Sequence, residues 1–261
     1  MVLLLHGFPG STFDWARLID GLHADVRVIG FDLPGAGLSA KPVTGPYSIF
    51  TYADASEELL ARRHVGRAVL VAHDIGTTVA AELLHRGNAG ALGFDAAGCL
   101  LTNGSIFIDQ AQLTDGQQFL LALPDDVLAE PLPDELLAGG LAVSFPPDRP
   151  DPDTLAAMVW LIRREHGDQL LPRIIRYIEE RWAHQSRWSA AFAGYDGSFR
   201  AGWGELDPIA VVAMMDTLAT LRDAAGRGTA ITRWPDVGHW PCVETPERVV
   251  ALVRDLLDDL G

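Results

Sequence analysis

Short runs of aliphatic residues alternate with helix-like segments along most of this chain, and this alternation restricts its fold more than any other feature. Strands are predicted at 2–5, 26–32, 68–72, 98–103, 198–203 and 229–234. Helices are predicted at 11–22, 52–65, 76–86, around 208–225 and at 246–260. Strands that are apolar on both faces, with helices between them, are typical of a parallel sheet covered on both sides. We therefore expect an α/β fold.

One segment, 106–194, interrupts the alternation. It contains a Pro-rich piece at 145–153 and helix patterns at 154–165 and 170–188, and it holds no convincing strand. We interpret it as a helical insertion, or cap, lying over the sheet. The predicted organisation is a first part of the core at 1–105, the helical cap at 106–194 and a second part of the core at 195–261.

The charge and the composition limit the kinds of molecule that the protein is expected to bind. The formal net charge of −15, spread along the 261 residues, argues against nucleic acid or an anionic membrane. It favours an uncharged or apolar small ligand. Cys99 and Cys242 show no metal or redox spacing, so we expect free thiols, a cytoplasmic location and no metal or cofactor. No apolar run approaches the ~20 residues that span a bilayer, and the N-terminus reads as a strand and not as a signal peptide.

The stretch Ala72-His73-Asp74-Ile75-Gly76 lies where a buried strand ends and a helix begins. A G-x-S-x-G elbow presents a nucleophile on such a turn, with small residues two positions away on either side. Here Ala72 and Gly76 are the small residues, and Asp74 takes the place of the serine. The alternative is that Asp74 only caps the following helix, a role that aspartate fills well.

Three further stretches follow predicted strands. "HGFPGS" (6–11) follows the first, "GELDP" puts Asp207 at a later strand end, and "DVGHWP" puts His239 after the last. In hydrolases of this architecture the acid and the histidine follow the nucleophile in this order. The oxyanion hole would use the backbone N–H groups of Phe8 and Ile75. Alternatively, Asp207 only caps a helix and His239 is an ordinary loop residue. Because all these features occur together and in the expected order, we favour a catalytic set.

These motifs, together with "FDLPGAGLSAKP" (31–42), resemble the α/β-hydrolases that use an aspartate nucleophile, namely epoxide hydrolases and haloalkane or haloacetate dehalogenases. "YSIF" (47–50), "HDIGTTVAAELLHR" (73–86) and "LTNGSIF" (101–107) also resemble the mesoderm-specific transcript homologues. The resemblance implies a mostly parallel sheet under a helical cap. The family usually has a β-hairpin before the "HGFP" strand, where this chain starts, so we expect about six strands, with an edge that is exposed or covered by a partner.

The resemblance implies covalent chemistry. An ionised carboxylate needs no base to attack a saturated carbon and leaves an ester on the enzyme. His239 would then activate a water molecule, and Asp207 would orient the imidazole. We predict hydrolysis of an uncharged, apolar epoxide to a vicinal diol, by a monomer or homodimer.

The residues that assist departure of the leaving group distinguish an epoxide hydrolase from a dehalogenase. Epoxide hydrolases use two cap tyrosines as donors to the epoxide oxygen. Tyr177 is one candidate, Tyr195 lies at the return from cap to core, and Ser189 occupies the place where the family usually has the second tyrosine. Haloalkane dehalogenases often carry Asn and Trp at the positions of Phe8 and Ile75. Their absence here weakens the interpretation of this chain as a haloalkane dehalogenase.

Haloacetate dehalogenases use cap His, Trp and Tyr side chains and usually an Arg directly after the nucleophile, a position that Ile75 holds here. A hydrolytic dehalogenase is therefore the second hypothesis. A ligand-binding homologue without turnover is the third, and the complete set Asp74, Asp207 and His239 speaks against it. For Asn103, after the fourth predicted strand, the alternatives are a position facing the site and a turn before Gly104, and we favour the turn.

Overall fold

Six parallel strands form a single sheet in the computed structural model, which describes residues 1–261. The strands are β1 (Val2–Leu5), β2 (Val28–Gly30), β3 (Arg67–His73), β4 (Asp95–Thr102), β5 (Ser198–Gly204) and β6 (Ala230–Trp234). Their spatial order is β2-β1-β3-β4-β5-β6, with every neighbouring pair parallel. The predicted α/β class and the number of strands are confirmed. Because all strands point the same way, the loops after β1, β3, β4, β5 and β6 emerge at one edge of the sheet.

Both faces of the sheet are apolar because successive side chains of a strand point to opposite sides. In β1, Val2 and Leu4 join one buried cluster, and Leu3 and Leu5 join the other. The first cluster is covered by α1 (Ala16–Leu22) and α11 (Pro246–Asp258). The second is covered mainly by α2 (Ile49–Arg62), α3 (Ile75–Asn88), α8 (Tyr177–Gly194) and α9 (Ala213–Ala224). A short helix, α10 (Pro241–Glu244), leads into α11.

The chain between β4 and β5 forms helices and no strand. These helices are α4 (Asp115–Ala122), α5 (Asp134–Ala142), α6 (Pro152–Arg163), α7 (Leu171–Ile174) and α8. The single helix predicted at 170–188 is wrong, because the chain breaks at Ile175 and Arg176 and continues as α8 to Gly194. Tighter i→i−3 bonds mark this break: the N–H of Arg176 donates to the carbonyl of Arg173 at 3.3 Å.

A buried carboxylate fastens α8 to α3. Glu82 on α3 accepts hydrogen bonds from Nε and Nη2 of Arg187, at 2.8 and 2.9 Å, and from Nε1 of Trp188 at 3.1 Å. Arg86 adds a further bond within α3 at 3.1 Å. Burial raises the pKa of Glu82, but Arg187, Trp188 and Arg86 outweigh it and lower the pKa to about 2. The insertion is thus anchored to the helix that follows β3.

No helix combines the length and the apolar character that crossing a bilayer would require. Cys99 and Cys242 are both buried free thiols.

Candidate active site

Asp74 lies on the sharp turn between β3 and α3, with φ 46° and ψ −114°. Backbone in this region is costly for a residue with a side chain and persists only where its surroundings enforce it. The turn also requires a small neighbour, because a Cβ on Gly76 would lie 2.2 Å from the carbonyl oxygen of Leu5. The side chain of Asp74 makes no capping hydrogen bond to α3. The helix-cap alternative therefore does not describe this carboxylate.

The two oxygens of the Asp74 carboxylate have different partners. Oδ2 accepts a hydrogen bond from the backbone N–H of Phe8 at 2.8 Å. Oδ1 accepts no hydrogen bond and lies 3.7 Å from Nη2 of Arg181. Of the two predicted oxyanion-hole donors, the structure thus brings Phe8 to the carboxylate, whereas Ile75 makes no hydrogen bond with it. Oδ1 is the less engaged oxygen and the better placed to act as a nucleophile.

His239 and Asp207 form a buried pair. Nδ1 of His239 lies 2.8 Å from Oδ2 of Asp207. The other oxygen, Oδ1, accepts the N–H groups of Ile209 and Ala210 at 2.7 and 3.0 Å. Asp207 therefore serves both the turn after β5 and the histidine, so the two predicted roles coexist. Burial raises the pKa of Asp207, but His239 and its hydrogen-bond donors outweigh it and hold the pKa below its usual value.

Asn103 faces the site, the alternative that was not preferred from the sequence. Its Nδ2 donates to Oδ2 of Asp207 at 2.8 Å and to the carbonyl of Gly204 at 3.1 Å. Its Oδ1 accepts the N–H of Gly204 at 2.8 Å. Asn103 does occupy a turn, with φ 28°, but its buried amide also orients the acid. Its position directly after β4, beside the other strand ends, is the one signal that pointed here.

The loop carrying His239 is held on both sides. Glu244 accepts the N–H of Gly238 at 2.8 Å and that of Trp240 at 2.9 Å. The N–H of His239 itself donates to the carbonyl of Ser144, in the insertion, at 3.0 Å. Burial lowers the pKa of His239, but the carboxylates of Asp207, Asp74 and Glu244 together raise it above its usual value.

Two other histidines flank the site. Nε2 of His6 accepts the N–H of Leu33 at 2.8 Å, and its Nδ1 lies 2.8 Å from the carbonyl of Gly7. The ring of His73 lies 5.0 Å from that of His239, centroid to centroid. Burial, with His239 nearby, lowers the pKa of His73 to about 3, so this ring is neutral at ordinary pH. His6 thus supports the turn after β1, and Nδ1 of His73 lies 3.2 Å from the carbonyl of Thr102.

Tyr177 lies at the start of α8 and is fully buried. Its ring packs 5.5 Å from the ring of Phe8, and its hydroxyl makes no well-formed hydrogen bond, although the side chain of Gln117 lies close enough to interact with it weakly. Burial, with Asp74 nearby, raises its pKa, so the hydroxyl stays protonated. By contrast, the hydroxyl of Tyr195 donates to the carbonyl of Ala96 at 2.7 Å and that of Ser189 to the carbonyl of Gln185 at 2.8 Å.

Arg181, one turn further along α8, reaches from the insertion to the turn that carries Asp74. Its Nη2 donates to the backbone carbonyl of Asp74 at 3.1 Å, and its Nε donates to Oγ1 of Thr78 at 2.9 Å. Its side chain and that of Asp74 are each 3% exposed. Haloacetate dehalogenases usually carry an arginine directly after the nucleophile, whereas Arg181 is 107 residues from Asp74 along the chain and no sequence motif marks it.

A cavity of about 680 Å³ lies between the strand ends and the insertion. Core residues Phe8, His239 and Trp240 form part of its wall, and α4 and α5 form most of the rest. The insertion contributes mainly apolar side chains: Leu113, Phe119, Leu120, Leu136, Leu137, Leu141 and Val143. Asp74 and Tyr177 do not line this cavity. Phe8 lines the cavity and also contacts both residues, because its N–H donates to Asp74 and its ring packs on Tyr177.

The site thus combines a carboxylate at a strained turn, an imidazole paired with a second carboxylate, and an apolar cavity beside them. No group of three or more His, Cys, Asp or Glu side chains is placed to hold a metal ion.

The chain belongs to the alpha/beta hydrolase family, which it matches over residues 2–252. It is 33% identical to the Mycobacterium tuberculosis protein LipZ, named as a hydrolase, over 99% of this chain and 88% of LipZ. It is also 33% identical to the mesoderm-specific transcript homolog protein of Bos taurus, over 94% of this chain and 75% of that protein.

Shorter matches involve two enzymes. The soluble epoxide hydrolase of a Corynebacterium strain is 37% identical over 79 residues, which cover 30% of this chain and 27% of that enzyme. The fluoroacetate dehalogenase of a Burkholderia species is 40% identical over 79 residues, which cover 29% of this chain and 26% of that enzyme.

Solved structures match the whole fold. An esterase from Thermogutta terrifontis superposes with a TM-score of 0.79 at 21% identity, over 99% of this chain and 89% of that one. The haloalkane dehalogenase DbeA of Bradyrhizobium elkani superposes with a TM-score of 0.77 at 19% identity, over 99% and 90%. At these identities the likeness concerns the fold alone.

Proposed function

We propose that this hydrolase converts an epoxide to a vicinal diol through an ester on Asp74, with residues 106–194 acting as a cap over the site. The observation that carries the proposal is the Asp74 carboxylate, which makes no capping bond, has Oδ2 on the N–H of Phe8 and leaves Oδ1 without a hydrogen bond. A carboxylate needs no base to attack a saturated carbon, whereas serine in the same elbow requires one.

In the first half-reaction, Oδ1 of Asp74 attacks one carbon of the epoxide ring. A bond forms between Oδ1 and that carbon, the ring C–O bond breaks, and its electron pair remains on the epoxide oxygen. The N–H of Phe8 meanwhile fixes Oδ2 at 2.8 Å and so orients the carboxylate.

In the second half-reaction, a water molecule attacks the ester carbonyl carbon of Asp74. His239 takes a proton from this water, and Asp207 stabilises the resulting imidazolium at 2.8 Å. The N–H of Phe8 stabilises the charge that develops on Oδ2. The C–Oδ1 bond on the Asp74 side then breaks, and the diol leaves with the oxygen that Asp74 supplied.

Tyr177 supports an epoxide over other electrophiles. A buried hydroxyl without a partner is costly unless something else accepts its proton. The oxygen of an opening epoxide is such an acceptor, and we assign Tyr177 as its donor. The 79-residue match to a soluble epoxide hydrolase supports the same chemistry.

The cavity indicates the character of the substrate. Its wall is mainly apolar where the insertion forms it, and the chain carries a net charge of −15. An uncharged, apolar epoxide suits this surface better than an anion does.

A hydrolytic dehalogenase is the second candidate. It is favoured by the 79-residue match to a fluoroacetate dehalogenase and by Arg181, a buried cation beside Asp74 that suits a substrate carboxylate. The same aspartyl ester would form, with halide as the leaving group.

Single turnover in ¹⁸O-labelled water tests the proposal. With enzyme in excess over a small apolar epoxide, the first diol formed should carry no label, and the peptide containing Asp74 should gain one ¹⁸O. Asp74→Asn should form no adduct and no diol. Label in the first diol would instead show direct attack by water and overturn the ester. Halide release without diol from any epoxide would favour the dehalogenase, and no turnover of either class would favour a binding protein.

A further inference from the structure

Arg181 is a buried cation whose one carboxylate partner within ion-pair distance is Asp74. Nη2 lies 3.7 Å from Oδ1 of Asp74, and both side chains are 3% exposed. The nearby ring of Tyr177, 4.7 Å from the guanidinium carbon, carries no charge. Arg187, on the same helix, differs because it is paired with Glu82 and is 35% exposed. Only the charge on Asp74 compensates Arg181.

The proposed ester removes that compensation. When Oδ1 bonds to the substrate carbon, Asp74 becomes neutral, and an unpaired buried cation would remain beside it. Breaking a buried ion pair by neutralising one partner is strongly unfavourable. A chain that uses Asp74 as a nucleophile therefore needs a new negative charge next to Arg181 at the moment when the old one disappears.

We propose that Arg181 compensates the alkoxide that forms when the epoxide opens, an inference that rests on the proposed epoxide chemistry. The alkoxide oxygen is attached two carbon atoms away from Oδ1, so the negative charge moves within reach of the same guanidinium. No hydrogen bond engages Nη1 of Arg181, which leaves this nitrogen free to donate. Nε and Nη2 stay anchored on Thr78 and on the carbonyl of Asp74. Arg181 would thus supply the second donor that Ser189 cannot.

The charges and protons balance over the cycle. The electron pair of the broken ring C–O bond stays on the epoxide oxygen, facing Arg181. In the second half-reaction, the proton that His239 takes from water passes to this alkoxide, and the hydroxide from that water remains on the carbonyl carbon of Asp74. When the bond between Oδ1 and the carbonyl carbon breaks, the proton of that hydroxide passes to the leaving oxygen, so the diol is released neutral and Asp74 is again the carboxylate partner of Arg181.

The test separates the two half-reactions in Arg181→Gln and Arg181→Lys. Gln keeps a donor but removes the charge, so ester formation in single turnover should slow at least about 100-fold, and ester hydrolysis should change far less. Lys keeps the charge but cannot keep both anchors and a free donor, so it should recover only part of the rate that Arg181→Gln loses. The loss in Arg181→Gln should shrink for epoxides with electron-withdrawing substituents, because their alkoxides need less compensation. A merely structural role would not depend on the substituent.

Arg187→Gln is the matched control, because it removes another arginine that ties α8 to α3 without touching Asp74. It should lower the melting temperature and leave ester formation near the wild-type rate. If Arg181→Gln does not fold, Thr78→Val, which removes only the anchor of Nε, should slow ester formation several-fold.

Wild-type rates in Arg181→Gln, or a loss confined to epoxides that bear a carboxylate, would overturn the assignment. Failure of the wild type on every epoxide would instead overturn the proposed function, and this inference with it.

Discussion

Nδ1 of His239 lies 2.8 Å from Oδ2 of Asp207, at the end of a chain of contacts that begins at Asn103. The three residues follow three different strands and meet because those strands point the same way. A proton on Nδ1 suits this contact and leaves Nε2 available as the base that the proposed mechanism requires. Its consequences appear in the pH dependence of ester hydrolysis.

The raised pKa of His239 predicts how the rate of ester hydrolysis changes at low pH. Only the neutral imidazole accepts a proton from water, so ester hydrolysis should fall as the pH drops through the raised pKa. In the free enzyme the pKa of His239, measured by NMR of its imidazole, should therefore lie above the usual histidine value of about 6.5, and the midpoint for ester decay should lie below that pKa because the ester has lost the charge of Asp74. Asp207→Asn removes the main opposing charge and should move the midpoint to lower pH while slowing the plateau rate. An unmoved midpoint would show that another group titrates.

Much of this architecture could be predicted from sequence because it depends on local patterns. The aliphatic runs marked all six strands, and the elbow around Asp74 marked the turn by its small neighbours. Arg181 and the amide of Asn103 could not be placed in the same way. Each contacts a partner about a hundred residues away along the chain. Arg181 meets Asp74 because α8 packs on α3, and Asn103 meets Asp207 because β4 lies beside β5. The break at Ile175 was hidden because apolar residues continue at helical spacing through it.

Asn103 makes three hydrogen bonds in a buried position, and its removal should lower both the stability of the fold and the rate of ester hydrolysis. Asn103→Ala should reduce the free energy of unfolding by about 1–3 kcal/mol, because Gly204 and Asp207 lose buried partners. It should also lower the hydrolysis rate by loosening Asp207. Asn88→Ala is the control, since its amide makes one bond, to the carbonyl of Ala191, away from the site. Chemical denaturation and ester decay measure the two effects, and equal hydrolysis rates in the two variants would contradict the positioning role.

Glu82 should make the stability of the fold sensitive to acid. Its pKa is lowered to about 2 in the folded chain, against about 4.5 unfolded, so it contributes stability above pH 4.5 that is lost as the pH falls toward 2. Glu82→Gln should cost about 2 kcal/mol at neutral pH, a moderate value because Arg187 is 35% exposed. It should also flatten the pH dependence of stability between about pH 5 and 2. Urea unfolding across this range provides the measurement, with Glu58→Gln, on the surface of α2, as control. A slope equal to that of the wild type would show that Glu82 is not the titrating group.

The side chain of Phe8 forms part of the cavity wall, whereas its backbone N–H holds the Asp74 carboxylate. Phe8→Ala removes the first function and keeps the second. The variant should lose about 3–5 kcal/mol of stability, as expected for a buried aromatic side chain. The space gained beside Asp74 should raise kcat/KM for bulky epoxides about tenfold relative to small ones. Phe199→Ala is a fair comparison, because Phe199 is equally buried but does not line the cavity, and it should lose stability without any change of preference. If both variants keep the wild-type preference, residues other than Phe8 control access to Asp74.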